Sequence, residues 1–281
     1  MSIDKQLDDP MAYTPAPPQA PAREGHVQLP DTRLWVSDTG GDGPALILLH
    51  PAAGGNPSIW RYQQPVFANA GYRVICYARR GYYKSDPATA DKLGNAAKDL
   101  RDLITAMGLK NAHIVSNAAG GAVAADHALS YPEQVLTLTV SNNYAGVRKG
   151  IIYEAAQRAR VPQWNQLPRW YREFCASYIV ANPQGIAEWT ALQDEQTKGH
   201  GVEQQANNVI SGETLERLRM PTLLLTGDAD SSTPPSLMRM VARHIPHAEL
   251  VIVPETGHSP YWERPAVFNT AVLDFLARHG K

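Results

Sequence analysis

An α/β fold is what this sequence predicts: a mostly parallel sheet, helices on both of its faces, and an inserted helical segment. Three observations lead there. Apolar runs such as ALILL (45–49) and TLLL (222–225) are too short to cross a bilayer and suit strands buried on both faces. Such runs alternate with stretches of helical length, the pattern of βαβ units. The alternation lapses from about residue 143 to 215 and then resumes.

HVQLP (26–30) and RLWVSDTG (33–40) form an opening antiparallel pair that turns at Pro30-Asp31. ALILLH (45–50) is a strand, and SIWRYQQPVFANAG (58–71) is helical. Then come strand RVICYA (73–78), helix NAAKDLRDLITAMG (95–108), strand AHIVSN (112–117), helix AGGAVAADHALSYP (119–132) and strand VLTLTVS (135–141). The lapse that follows is rich in large aromatics, including Tyr144, Tyr153, Trp164 and Trp189. Trp170, Phe174 and Tyr178 recur every fourth residue, which predicts one shared helix face. Strand TLLLTG (222–227), helix SLMRMVARHI (236–245), strand ELVIVP (249–254) and helix RPAVFNTAVLDFLARHG (264–280) complete the pattern. The expected division is a flexible Pro/Ala-rich arm (1–25), a core (26–142 and 216–281) and a helical cap (143–215).

Composition narrows the function. Charged residues are 19% and the formal charge is −1, so no bulk field favours nucleic acid or an anionic membrane. The two cysteines, Cys76 and Cys175, give neither a disulfide framework nor metal-ligand spacing, and fit a reducing, cytoplasmic setting. The first residues lack the basic-then-apolar pattern of a secretory signal. A small-molecule partner is the expectation, with no cofactor implied and the oligomeric state unreadable.

Open parallel sheets bind ligands outside the carboxyl ends of their strands. The segments there are HPAAGGN (50–56), RRGYYKSD (79–86), SNAAGG (116–121), DADSSTPP (228–235) and ETGHSPYWERP (255–265). In this order they resemble the α/β-hydrolase superfamily, in its serine hydrolase and esterase-like form, from about residue 26 to the end. The resemblance implies a nucleophile elbow at Ser116-Asn117-Ala118-Ala119-Gly120, with Ala118 where serine is expected. A methyl group cannot attack a carbonyl. Ser116, the nearest hydroxyl, reads as a buried structural serine. His258 falls where the family places its base. Asp230, three residues after Gly227, falls where it places the acid, with Asp228 as the weaker candidate acid or a brace of the loop. No carboxylate competes after the preceding strand, where Asn142 and Asn143 stand. The oxyanion hole needs two backbone N–H groups. Ala119 supplies one and Ala52 the other, with Ala53 second, because Pro51 has none. His50 reads as a brace for that loop. The RGYYKSD turn, with Tyr83 replacing a family glycine, reads as architectural, its charges solvated.

The expected function is a carboxylic ester or lactone hydrolase for a small, fairly apolar substrate. Asn117, Tyr144, Trp164 and Trp189 are its candidate pocket residues. The small flanks, donors, acid and base all suit a missing hydroxyl, so the chain reads as a nearly inactive nucleophile-to-alanine variant. Carbon–carbon bond hydrolysis on the same fold, or non-catalytic small-molecule binding, are the alternatives.

Overall fold

The structure, a computed structural model, describes residues 13–52, 54–196 and 204–280. The first twelve residues of the arm and Ala53, the second oxyanion candidate, lie outside the described residues.

An eight-stranded sheet organises the chain in the order β1-β2-β4-β3-β5-β6-β7-β8. The strands are β1 Arg23–Gln28, β2 Arg33–Asp38, β3 Ala45–Leu49, β4 Arg73–Tyr77, β5 Ala112–Asn117, β6 Val135–Ser141, β7 Thr222–Gly227 and β8 Glu249–Val253. β2 runs antiparallel to both β1 and β4, and β3 to β8 are parallel. The α-helices are α1 Gln64–Asn69, α2 Ala96–Ala106, α3 Ala119–Ser130, α4 Ile151–Ala159, α5 Arg169–Glu173, α6 Ala176–Ala181, α7 Pro183–Gln196, α8 Gly212–Leu215, α9 Pro235–Ala242, α10 Pro260–Glu263 and α11 Pro265–His279.

Successive strand side chains face opposite sides of a sheet. In β3, Ile47 and Leu49 enter one core, with residues of α2, α3 and α9, while Leu46 and Leu48 enter the other, with residues of α1 and α11. Burial on both faces explains why β3 reads as an unbroken apolar run rather than an alternating one. The strand order reverses at β3, which pairs with β4 on one side and β5 on the other. Such a reversal opens a crevice at the strands' carboxyl ends. The loop after β3 carries Ala52, and the corner after β5 is Ala118.

Several expectations are corrected. Arm residues 13–22 lie against the fold rather than hanging free. Tyr13 donates to Glu188, Tyr62 donates to the Thr14 carbonyl, and Gln64 exchanges two hydrogen bonds with the Ala20 backbone. The helix expected over 58–71 is a 3₁₀ turn, Pro57–Trp60, followed by α1. The stripe of Trp170, Phe174 and Tyr178 is not on one helix, because α5 ends at Glu173 and Phe174 is extended (φ −112°, ψ 149°). The rings of Phe174 and Tyr178 still pack 5.1 Å apart.

The RGYYKSD charges are not all solvated: Lys84 is exposed, but Arg80 is not. Arg80 is 1% exposed and ion-paired to Asp99 and Asp31 at 2.7 and 2.9 Å. Tyr83 adopts φ +47°, the left-handed conformation a glycine takes without strain. Among the described residues, no strand lies between β6 and β7. Both ends of that inserted segment still feed the main core, through Ala145, Val147 and Ile152 on one side and Ile210 and Leu215 on the other.

Candidate active site

β5 ends at Asn117, and the chain turns directly into α3. Ala118 makes that corner with φ +47° and ψ −121°, a strained conformation for a residue with a Cβ. The packing beneath explains its small neighbours. A Cβ on Gly120 would run into the Leu49 carbonyl. Ser116 is fully buried and donates to the Thr139 carbonyl at 2.7 Å, so its hydroxyl is a sheet brace. The Ala119 amide belongs to the first turn of α3, whose donors lack intrahelical partners.

Two loops bring an acid and an imidazole to this corner. Asp230 is 3% exposed, and its Oδ2 lies 2.8 Å from His258 Nδ1. Its Oδ1 accepts the amides of Ser232 and Thr233 at 2.7 and 2.9 Å. Asn142, which the sequence offered only as a missing carboxylate, donates to Asp230 Oδ2 at 2.8 Å. Burial would raise the Asp230 carboxyl, but His258, Asn142 and the Thr233 amide hold it below the usual carboxylate value. Because a carboxylate only accepts, Nδ1 carries the proton and leaves Nε2 for other chemistry. Burial alone would lower the His258 imidazole. The Asp230 charge and hydrogen bond, with Glu173 and Glu263 behind them, raise it to about 9.

The loop holding His258 is itself pinned. The His258 amide donates to the Glu173 carbonyl at 2.7 Å. Glu263, 4% exposed, accepts the amides of Gly257 and Cys175 at 2.9 and 2.8 Å. Burial pushes the Glu263 carboxyl up to about 7 despite those donors. Asp228 accepts the Thr256 amide at 3.3 Å, bracing the same loop. On the other side, His50 takes the Arg79 amide on Nε2 at 3.0 Å, and its Nδ1 meets the Pro51 carbonyl at 2.7 Å. Burial, with the Arg79 charge, holds this imidazole well below its ordinary value, so it braces the Ala52 loop as a neutral ring.

A cavity of about 310 Å³ opens over this corner, lined by Ala118, Ala119, Ala52, His258, Tyr144 and Trp164 among others. Of the four candidate pocket residues, Tyr144 and Trp164 line this cavity. Asn117 and Trp189 do not. Asn117 is fully buried, its amide 3.4 Å from the His258 carbonyl, because the residue before the corner still belongs to β5. Trp189 is 1% exposed, packs against Phe174 and donates to the Tyr261 hydroxyl at 3.2 Å. Charged side chains also reach this cavity. Arg160, Arg169, Arg172 and Glu173, none singled out in the sequence, line the same cavity. Arg169 donates to Gln193, and Arg172 lies 5.9 Å from the Trp164 ring with its buried Nε unpartnered. Among the described residues, none of the three arginines has an ion-pair partner.

The sequence pattern of the α/β-hydrolase fold family matches residues 45–265, and the chain belongs to that family. It is 27% identical over 267 residues to a 2-hydroxy-6-oxononadienedioate/2-hydroxy-6-oxononatrienedioate hydrolase of Burkholderia vietnamiensis, covering 88% of this chain and 92% of that one. A 2-hydroxy-6-oxo-6-phenylhexa-2,4-dienoate hydrolase of Burkholderia cepacia is 28% identical over 89% of this chain and 93% of its own length. A thermophilic esterase from Thermogutta terrifontis shares the fold with TM-score 0.70 and 23% identity, over 92% of this chain and 100% of that one. No helix among the described residues is long and apolar enough to cross a membrane, and no metal-binding cluster is found among them.

Proposed function

We propose that this site belongs to a hydrolase for a carboxylate-bearing substrate, cleaving a carbon–carbon bond beside a ketone in a 2-hydroxy-6-oxo-dienoate type of acid. One observation carries the substrate class: the cavity over Ala118 and His258 is also walled by three arginines without ion-pair partners among the described residues. Arg160 and Arg169 are exposed and Arg172 is half-buried with an unpartnered Nε, so their guanidiniums are open to donate charge-assisted hydrogen bonds to a bound carboxylate. Relatives at 27% and 28% identity act, by name, on such dienoates. The order expected from the sequence is thus reversed. Ester or lactone hydrolysis becomes the second reading, supported by the Ala52 and Ala119 amides, which suit any tetrahedral oxyanion.

The chemistry needs a hydroxyl at 118, and we read Ala118 as its replacement. With serine there, Oγ adds to the ketone carbon while His258 Nε2 takes its proton and Asp230 steadies the imidazolium. The Ala52 and Ala119 amides hold the oxyanion. Before that addition the dienol tautomerises, its 2-hydroxyl proton moving to the carbon beside the ketone. As the tetrahedral adduct then collapses, the carbon–carbon bond breaks, its electron pair is delocalised onto the 2-oxygen as a dienolate, and His258 returns the proton there. Water, deprotonated by His258, then adds to the acyl group and frees the second acid. The chain as it stands keeps the binding surfaces and loses the covalent step, a deficit on the order of 10⁶ in kcat.

The test is Ala118→Ser, assayed by loss of the dienoate chromophore and against esters of acidic alcohols. The serine form is expected to turn over the dienoate, while the alanine form binds it unchanged. If the serine form cleaves neither class, the site is a receptor and the hydrolase reading fails.

A further inference from the structure

Beyond the cavity over Ala118 lies a larger chamber of about 510 Å³, and the two share Ala52, Ala119, Asn143, Tyr144 and Arg160. The proposed oxyanion donors therefore stand at the junction of two compartments. A carbonyl held there would send one half of its molecule into each.

The outer compartment has an unusual wall residue. Arg79 is 8% exposed, yet it has no carboxylate partner among the described residues. Its Nε faces His50 Nε2 at 3.2 Å, its Nη2 meets the Pro51 carbonyl at 3.4 Å, and its guanidinium carbon lies 4.9 Å from the Tyr82 ring centre. Nη1 makes no hydrogen bond among the described residues. Contrast Arg80, the next residue, whose charge is matched by Asp99 and Asp31. Asp126, the one carboxylate among the residues of the outer wall, is turned to the Asn207 and Asn208 amides at 2.8 and 2.9 Å. Arg148 also lines this compartment, and Arg160 adds a third cation at the junction, with no hydrogen bond among the described residues. A buried guanidinium balanced only by neutral groups is poorly compensated, and a bound anion completes it.

We propose that the outer compartment is a second anion subsite built on Arg79, which takes a carboxylate at the far end of the substrate. The substrate is then a diacid, with one carboxylate against Arg169 and Arg172 and the other against Arg79. This rests on the hydrolase reading above for the placement of the carbonyl at the junction.

The chain with Ala118 is suited to the test, because it is expected to bind without turnover. Straight-chain diacids from succinate to azelate are titrated by calorimetry beside the monoacid of equal length. At the length that spans both compartments, the diacid is expected to bind about tenfold more tightly than its monoacid, the range of a single charge-assisted hydrogen bond. Arg79→Gln should abolish that preference and leave monoacid affinity within about twofold, while Arg79→Lys, which keeps the charge, should retain part of it. A monoacid supplemented with free acetate should not reproduce the gain. Equal affinities at every length, no binding of any diacid, or an Arg79→Gln loss shared equally by mono- and diacid would each overturn the subsite. Monoacid binding indifferent to Arg172→Gln would instead count against the inner carboxylate anchor, and leaves an Arg79-dependent diacid preference standing.

Discussion

The two walls of the cavity are built by opposite rules. On the sheet side, Asp230 spends both oxygens on four short contacts, to His258, Asn142, Ser232 and Thr233. On the side of the inserted helices, Arg160, Arg169 and Arg172 have no ion-pair partner among the described residues, with Glu173 on the same wall and Arg160 and Arg169 open to water. A fully satisfied polar network is rigid and holds an acid–base pair in one geometry. An unsatisfied one is poised to accept a ligand. The division suggests that the strand ends govern what reacts and the insertion governs what binds.

Kinetics in the Ala118→Ser background can break that division. His258→Ala should cost on the order of 10⁵ to 10⁶ in kcat. Asp230→Asn should cost about 10⁴, because it spoils the tautomer rather than removing the base. Both should leave KM nearly unchanged, as steady-state assays would register. Arg172→Gln should do the reverse, raising KM about tenfold with kcat intact, since its contact is made equally in ground and transition states. A large kcat loss for Arg172→Gln would mean that the insertion takes part in the chemistry after all.

A pH titration sharpens the same contrast. The folded-state value of His258 is raised to about 9, above its ordinary 6.5, by groups led by Asp230 against the lowering effect of burial. The stabilisation it brings is therefore complete below pH 6.5 and is lost as pH climbs through 9. Melting temperature should fall across that window, and His258→Gln should flatten the fall. In the serine form, where the base must be neutral, kcat/KM should rise over the same interval. A melting temperature independent of pH between 6.5 and 9 would contradict the His258–Asp230 pairing. The smallest effect belongs to the corner itself. Ala118→Gly should stabilise the fold by about 1 kcal/mol in denaturant titrations, because glycine adopts the positive φ without strain.

What the sequence disclosed follows the same boundary. Ala118, His258 and Asp230 each stand in a short motif just past a strand, so local spacing and strand periodicity were enough to locate them. Asn142 was visible only as an absent carboxylate, since its role depends on a φ of +52° that turns its amide back to Asp230. The arginines had no local signal. Arg160 follows the amphipathic α4 and Arg169 and Arg172 lie on the short polar α5, and only the docking of both helices over the crevice brings the three together. Trp189 was misassigned because an aromatic in a helical segment reads alike whether it faces a ligand or Phe174. Arg79 and Arg80 are adjacent and chemically identical in sequence, and only the position of Asp99 separates a balanced cation from an unbalanced one.

Glu263 carries a mechanical consequence. One carboxylate grips amides on either side of a seam, Gly257 beside the imidazole and Cys175 at the α5–α6 joint, while the Glu173 carbonyl takes the His258 amide across it. Prising that seam apart would leave the Glu263 carboxyl and the amides it holds unpaired, a cost of about 1–3 kcal/mol for each unmet group. The seam therefore ties the imidazole loop to the α5–α6 joint by hydrogen bonds running in both directions across it.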